Sequence, residues 1–175
     1  YPHKDHRTLV AAFAQVAGDR PDVTLVLVGG PGPSEADVVS AVRAAGVGDR
    51  VRRTGRVPWS DLDALYAMAS AVAVPSRFEG FGAPALEAMA HGTPLVASDA
   101  TALPWVVGEG GLLVPAGDVD AWAGAMARVL DDPAEQARLR ESGLARAGWF
   151  TWERAATALR GGYRAAAAMG EDGTS

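Results

Sequence analysis

Glu79 and Glu87 stand on either side of Gly80-Phe81-Gly82-Ala83-Pro84, and that arrangement suits a ligand carrying both a phosphate and several hydroxyls. Gly80 and Gly82 let the backbone approach a ligand closely, and Pro84 fits the first turn of a helix, where its missing N–H is no loss. The free amides expected around Phe81 to Ala85 then face whatever sits in front of that helix, and unpaired N–H groups and the helix dipole together favour an anion there. Leu86, Ala88, Met89 and Ala90 make the helix apolar nearly all round, so it is expected to be buried, and a carboxylate on it needs partners. A vicinal diol such as ribose O2 and O3 brings two donors, each charge-assisted bond contributing roughly 1.5 to 3 kcal/mol. From the chemistry alone Glu87 also reads as a helix starter favoured by the dipole, and Glu79, in a loop with Arg77, as a solvated surface ion pair.

Such a loop has to be held by a strand before it and a helix after it. Strand-like and helix-like patterns alternate along the chain, which predicts an α/β fold with a parallel sheet and helices on both faces. Residues 23–28, a continuous β-branched and apolar run, read as a buried strand, with shorter strands at 51–54, 71–75, 94–98 and 112–114. Helices are expected over 5–16, 35–45, 60–69, 84–91 and 119–130. Asp118 is placed to cap the last of these, and Pro133 restarts a helix after Asp131-Asp132. An Ala-rich helix from Thr151 to about Met169 closes the chain, and the polar tail 170–175 is expected to be disordered. No internal repeat or linker divides the sequence, so residues 1–169 read as one domain.

These residues resemble the donor-site signature of the group-one retaining nucleotide-sugar glycosyltransferases. The signature is carried by Glu79 followed by Gly80-Phe81-Gly82, and by Glu87 followed by Ala88-Met89-Ala90-His91-Gly92-Thr93-Pro94. Gly55-Arg56-Val57 with Leu62, Leu65, Tyr66 and Ala69 is similar to the family's segment before the donor loop. Gly110-Gly111-Leu112-Leu113-Val114 with Gly117-Asp118 is similar to the segment after it, and Phe150-Thr151-Trp152-Glu153 to the aromatic opening of the closing helix. The order of the segments matches over nearly the whole chain. One position departs from the pattern: many relatives have Glu after the Leu-Pro pair where this chain has Leu103-Pro104-Trp105.

The resemblance implies the GT-B architecture, two Rossmann-like domains facing a cleft, with this chain as the C-terminal, donor-binding domain. It implies that the sheet lacks its first strand, which in the family ends in a Gly-Arg pair shortly before the Lys matched by Lys4, and that edges are left unpaired as a result. The start at Tyr1 without Met agrees with a fragment or a processed chain. The implied function is retaining transfer from a nucleoside-diphosphate sugar to an unknown acceptor held by an N-terminal domain of the same enzyme. No metal or cofactor is implied. Lys4 matches the residue that neutralises the diphosphate. Glu79 is the implied catalytic residue, holding sugar hydroxyls and orienting the anomeric carbon with the backbone of Phe81 and Gly82. The helix-start amides around Ala83 meet the leaving diphosphate, Glu87 holds the ribose, and Gly30, beside the cleft, is an implied backbone contact of the donor's sugar or diphosphate. The implied location is the cytoplasm, either free or as a peripheral protein at the inner membrane surface.

Composition narrows the alternatives. With 175 residues, 49% of them apolar, the chain can bury one sizeable core but is not two full Rossmann domains. There is no cysteine, which rules out disulfides and thiolate zinc sites. A net charge of −5 argues against a general nucleic-acid surface, and no stretch approaches the ~20 apolar residues of a membrane span. His3, His6 and His91 have no neighbours that complete a metal set and read as packing residues. Gly29-Gly30-Pro31-Gly32-Pro33 fits a dinucleotide fingerprint poorly, since Pro31 removes an amide and the acid about 20 positions on is replaced by the early Glu35. That counts against a nicotinamide oxidoreductase. Two carboxylates could also serve as the acid and nucleophile of a glycoside hydrolase, about 5 to 9.5 Å apart, but the helix-start anion site has no use in such an enzyme. The remaining alternative is a catalytically inactive remnant that binds nucleotide or a partner protein.

Overall fold

The computed structural model describes residues 1–171. Five short strands, β1 (Leu25–Val28), β2 (Val51–Gly55), β3 (Val72–Val74), β4 (Leu95–Ser98) and β5 (Leu112–Val114), alternate with helices. The helices are α1 (His6–Gly18), α2 (Glu35–Ala44), α3 (Trp59–Met68), α4 (Ala83–Ala90), α5 (Leu103–Val107), α6 (Val119–Asp131), α7 (Pro133–Ala147) and α8 (Trp152–Glu171). All the ladders between these strands are parallel, with Leu25 opposite Val51, Val72 opposite Leu95 and Val96 opposite Leu112. Parallel neighbours require crossovers, and the helices supply them.

The strands form two sheets, β1-β2 and β3-β4-β5, with no ladder between β1 and β3 among the described residues. The facing edges of β1 and β3 are thus unpaired among the described residues, in line with the expectation of unpaired edges. The reading of β1 as fully buried is corrected. Leu25 and Leu27 pack on the core, whereas Val26 and Val28 point the other way and are 40% and 42% exposed. A continuous apolar run buries both faces only where something covers both.

Two apolar clusters sandwich the β3-β4-β5 sheet, and period-two alternation sorts its residues between them. On one side Val96 and Val114 meet Leu9, Val10, Phe13 and Val16 of α1 and Trp122, Met126 and Val129 of α6. Those helix positions recur at the spacing of a single helical face. On the other side Val74, Leu95 and Ala97 meet Ala85, Ala88 and Met89 of α4 and Leu103, Val106 and Val107 of α5. Every residue of β4 is buried, as befits the central strand.

The expected strands and helices lie within a few residues of the observed ones. Asp118 caps α6 by accepting from the Ala121 amide, and Asp132 caps α7 by accepting from Ala134 and Glu135, with Pro133 in the first turn. The short helix α5 has no counterpart among the expected elements, because five residues are too few to show a helical period. Helix α8 is described to Glu171, past the expected end of the domain. Residues 172–175, and with them most of the expected tail, lie outside the described residues. No described helix is long and apolar enough to cross a membrane.

Candidate donor site

Strand β3 delivers its chain into the loop Pro75 to Phe81, and Gly82 turns that loop into α4. Gly82 has φ +93°, a left-handed value that glycine adopts without strain, and a Cβ there would stand 2.7 Å from Leu103 Cδ2. Leu103 is fully buried, so the turn is tight as well as left-handed. Ala83 and Pro84 then form the first turn of α4. The amides of Ala85 and Leu86 already donate to the Gly82 carbonyl at 3.0 and 3.3 Å. The anion site expected from Phe81 to Ala85 is therefore narrower. Among the described residues, the amides of Phe81, Gly82 and Ala83 donate to no protein acceptor. These three, at a helix N-terminus, make a place where an anion is favoured.

Lys4 comes to this loop from 75 residues earlier. Its ammonium lies 2.5 Å from Glu79 Oε1, with the Glu79 side chain only 11% exposed and that of Lys4 34%. Arg77, for which the sequence suggested only a surface pairing with Glu79, holds the two segments together. Its amide donates to the His3 carbonyl at 2.7 Å, and its Nε donates to Asp5 Oδ2 at 2.8 Å. Asp5 also accepts from Thr8 Oγ1 at 2.9 Å, which ties the start of α1 to the same clamp. The idea of Glu79 as a surface partner of Arg77 is thus corrected: Glu79 pairs with Lys4, and Arg77 with Asp5.

Thr101 fixes the other side of Glu79. Its Oγ1 accepts from the Glu79 amide at 2.9 Å and donates to the Glu79 carbonyl at 3.1 Å. Thr101 has φ +50°, unusual for a β-branched residue and retained only where surrounding contacts hold it. Nothing in the local sequence announces this role. Burial pushes the Glu79 carboxyl up, but hydrogen bonds from Lys4 and Ser76 and the Lys4 charge outweigh it, and the group lies below the ordinary carboxylate range.

Glu87 sits one turn into α4, half-buried, and the partner its burial demanded is Tyr66 of α3, whose hydroxyl donates to Glu87 Oε2 at 2.8 Å. Phe81 is 43% exposed and meets Phe150 edge to face at 5.8 Å. Phe150 also packs edge to face on Trp105 and Trp149, with the Arg146 guanidinium 4.9 Å from its ring centre. Trp105, at the position where the resemblance leads one to expect Glu, is therefore part of an aromatic patch that reaches Phe81 through Phe150. Gly30 follows β1 and lies against the Arg56 side chain, in a loop whose Gly32 faces Tyr1, and no hydrogen bond or ion pair links it to the Lys4–Glu79 pair among the described residues. The three histidines serve as packing or hydrogen-bonding groups: His91 stacks on Tyr66 and His3 tilts on Tyr1. Burial holds His6 below its ordinary range.

A cation paired with a carboxylate beside free helix amides, with a second, held carboxylate on the same helix, is an arrangement able to take a phosphate and hydroxyls together. The family model described as Glycosyl transferases group 1 matches residues 1–132. The chain belongs to the group 1 glycosyltransferases. It is 37% identical over 170 residues to the D-inositol 3-phosphate glycosyltransferase of Segniliparus rotundus, an alignment covering 94% of this chain and 38% of the relative. Its fold superposes on the sucrose-phosphate synthase of Thermosynechococcus elongatus with a TM-score of 0.83 and 37% identity, over 97% of this chain and 44% of the other. It also superposes on Anabaena HepE in complex with UDP-glucose, with a TM-score of 0.76 and 29% identity, over 85% and 42%. The group 1 fold here is the C-terminal Rossmann-like domain of the GT-B architecture, and the chain spans well under half the length of these relatives.

Proposed function

We propose that this domain binds a nucleoside-diphosphate sugar and presents it for retaining transfer of the glycosyl group to an acceptor. The observation that carries the reading is the meeting of Lys4 and Glu79 on the loop whose Phe81, Gly82 and Ala83 amides have no protein acceptor among the described residues, with Glu87 held one turn into α4. In this reading the amides and Lys4 take the diphosphate, and Lys4 is shared between Glu79 and a phosphate oxygen once the donor is bound. As the bond from the anomeric carbon to the phosphate oxygen breaks, charge develops on the leaving diphosphate, and these donors stabilise it. Glu79 then accepts from sugar hydroxyls and orients the anomeric carbon, a positioning role. The acceptor oxygen bonds that carbon on the face the phosphate leaves, and its proton passes to the departing phosphate. Glu87 accepts from the ribose. The match to HepE, whose solved complex holds UDP-glucose, supports a nucleotide sugar as the ligand. We assign the acceptor to a further domain, since this chain corresponds to 38% of a relative such as the Segniliparus enzyme.

The test is a calorimetric titration of the purified protein with UDP, GDP and ADP, repeated on Glu87→Ala. One nucleotide is expected to bind, and its affinity to fall by about tenfold or more in the variant, the effect of losing charge-assisted hydrogen bonds. A domain that binds a partner and no donor would be indifferent to Glu87→Ala. Failure of all three nucleotides to bind demonstrably folded protein sinks the donor-site reading.

A further inference from the structure

Tyr66 takes no part in the roles assigned above except as a neighbour of Glu87, yet four contacts determine where its hydroxyl points. The hydroxyl donates to Glu87 Oε2 at 2.8 Å. The ring stacks on His91 with centroids 5.2 Å apart and planes 25° from parallel. Thr93 Oγ1 donates to the Tyr66 carbonyl at 2.7 Å, and the ring packs on the apolar cluster that contains Val74 and Met89. His91 is itself anchored at the end of α4: its amide donates to the Glu87 carbonyl at 3.1 Å, its Nδ1 lies 2.8 Å from that oxygen, and its Nε2 lies 3.3 Å from Asp63 Oδ1. Tyrosine, histidine and glutamate thus form one assembly across α3 and α4. Burial, then the hydrogen bond and charge of Glu87, push the Tyr66 hydroxyl well above its ordinary range, so it remains a protonated donor at neutral pH.

The consequence lies in the other carboxylate oxygen. Among the described residues Glu87 Oε1 accepts no hydrogen bond, while Oε2 is taken by Tyr66. A carboxylate with one oxygen tied to a stacked, half-buried phenol is restricted in its rotation, and the second oxygen is left free to accept.

We propose that Tyr66 is a positioning residue which, by holding Oε2, aims Glu87 Oε1 at the ribose diol and so makes the site selective for ribonucleotides over their deoxy counterparts. The proposal rests on the donor-binding reading of the site. It adds a residue on α3, outside the signature loop, that governs recognition of the sugar of the nucleotide.

The test compares UDP, GDP and ADP with their 2′,3′-dideoxy counterparts on wild type, Tyr66→Phe and Glu87→Ala, by calorimetry and with thermal midpoints recorded alongside. Wild type is expected to favour the ribonucleotide by at least about tenfold, from hydrogen bonds to a charged acceptor. Tyr66→Phe keeps the ring and its stack but removes the donor. Ribonucleotide binding is expected to weaken several-fold while dideoxynucleotide binding holds, so that the ratio falls to about twofold. A purely structural role would weaken both nucleotides alike and leave the ratio in place, and that result overturns the proposal. Tyr66→His, which retains a planar ring but no phenol, is measured in the same way if Tyr66→Phe does not fold. If Glu87→Ala collapses the ratio and both Tyr66 variants preserve it, Tyr66 has no positioning role although the donor reading stands. If wild type binds no nucleotide, the donor reading falls and the Tyr66 proposal with it; if nucleotide binds but Glu87→Ala leaves the ratio intact, Glu87 does not read the ribose and the Tyr66 proposal falls while nucleotide binding stands.

Discussion

Glu79 shows how two opposed forces are resolved at a single residue. Burial disfavours its charged form, and Lys4 and Ser76 more than restore it. A carboxyl depressed in the folded state contributes stability that is complete above its unfolded value, here ordinarily 4.5, and is lost as pH falls through the folded one. The thermal midpoint of wild type is therefore expected to exceed that of Glu79→Gln at neutral pH, with the gap closing from about pH 4.5 downward. A gap that stayed constant to about pH 3 would mean that the Lys4 contact contributes nothing to the folded state. Gly82 makes a steric prediction at the same scale. Gly82→Ala places a Cβ 2.7 Å from a buried Leu103 methyl at φ +93°, and is expected to cost about 1 to 3 kcal/mol in urea denaturation. A loss within error of zero would show that Leu103 can move aside.

Among the elements, caps and crossings do the positioning. Helix α7 begins at Asp132, which satisfies two amides of its first turn, so Asp132→Ala is expected to lower stability by about 1 kcal/mol, read as a lower denaturation midpoint with unchanged slope. Helix α4 is legible in the sequence because its signals are local: a glycine turn, Pro84 and an apolar surround. Helix α5 is not, because its position depends on Leu103, Val106 and Val107 filling the pocket beside α4, which only packing reveals. The same holds for the helix-start amides. Spacing locates them, but the Gly82 carbonyl takes the one on Ala85.

Over the full chain, stability is unevenly distributed. Strand β4 is buried along its length and paired on both edges, whereas among the described residues β1 pairs with β2 alone and exposes Val26 and Val28. In hydrogen exchange, the β4 amides are expected to exchange at least about tenfold more slowly than the β1 amides that point away from β2. Equal protection would mean that the β1 edge is covered in solution. The chain spans 38% of the Segniliparus relative, and the acceptor side of the reaction is part of the proposal above.

Features of local or periodic origin are legible in the residues alone. The alternation of strands and helices, the helix caps, the glycine turn and the pair of glutamates all follow from neighbours within a few positions, where backbone geometry and side-chain spacing suffice. The family likeness is legible for the same reason, since a signature is a local pattern. The partners, by contrast, exist only in the folded chain. Lys4 reaches Glu79 across 75 positions, Arg77 bridges to Asp5, Thr101 brackets Glu79, and Tyr66 claims one oxygen of Glu87. A buried charge takes whatever partner the folded chain brings within hydrogen-bond reach, and that distance is set by the crossovers of the sheet rather than by the spacing of residues along the chain.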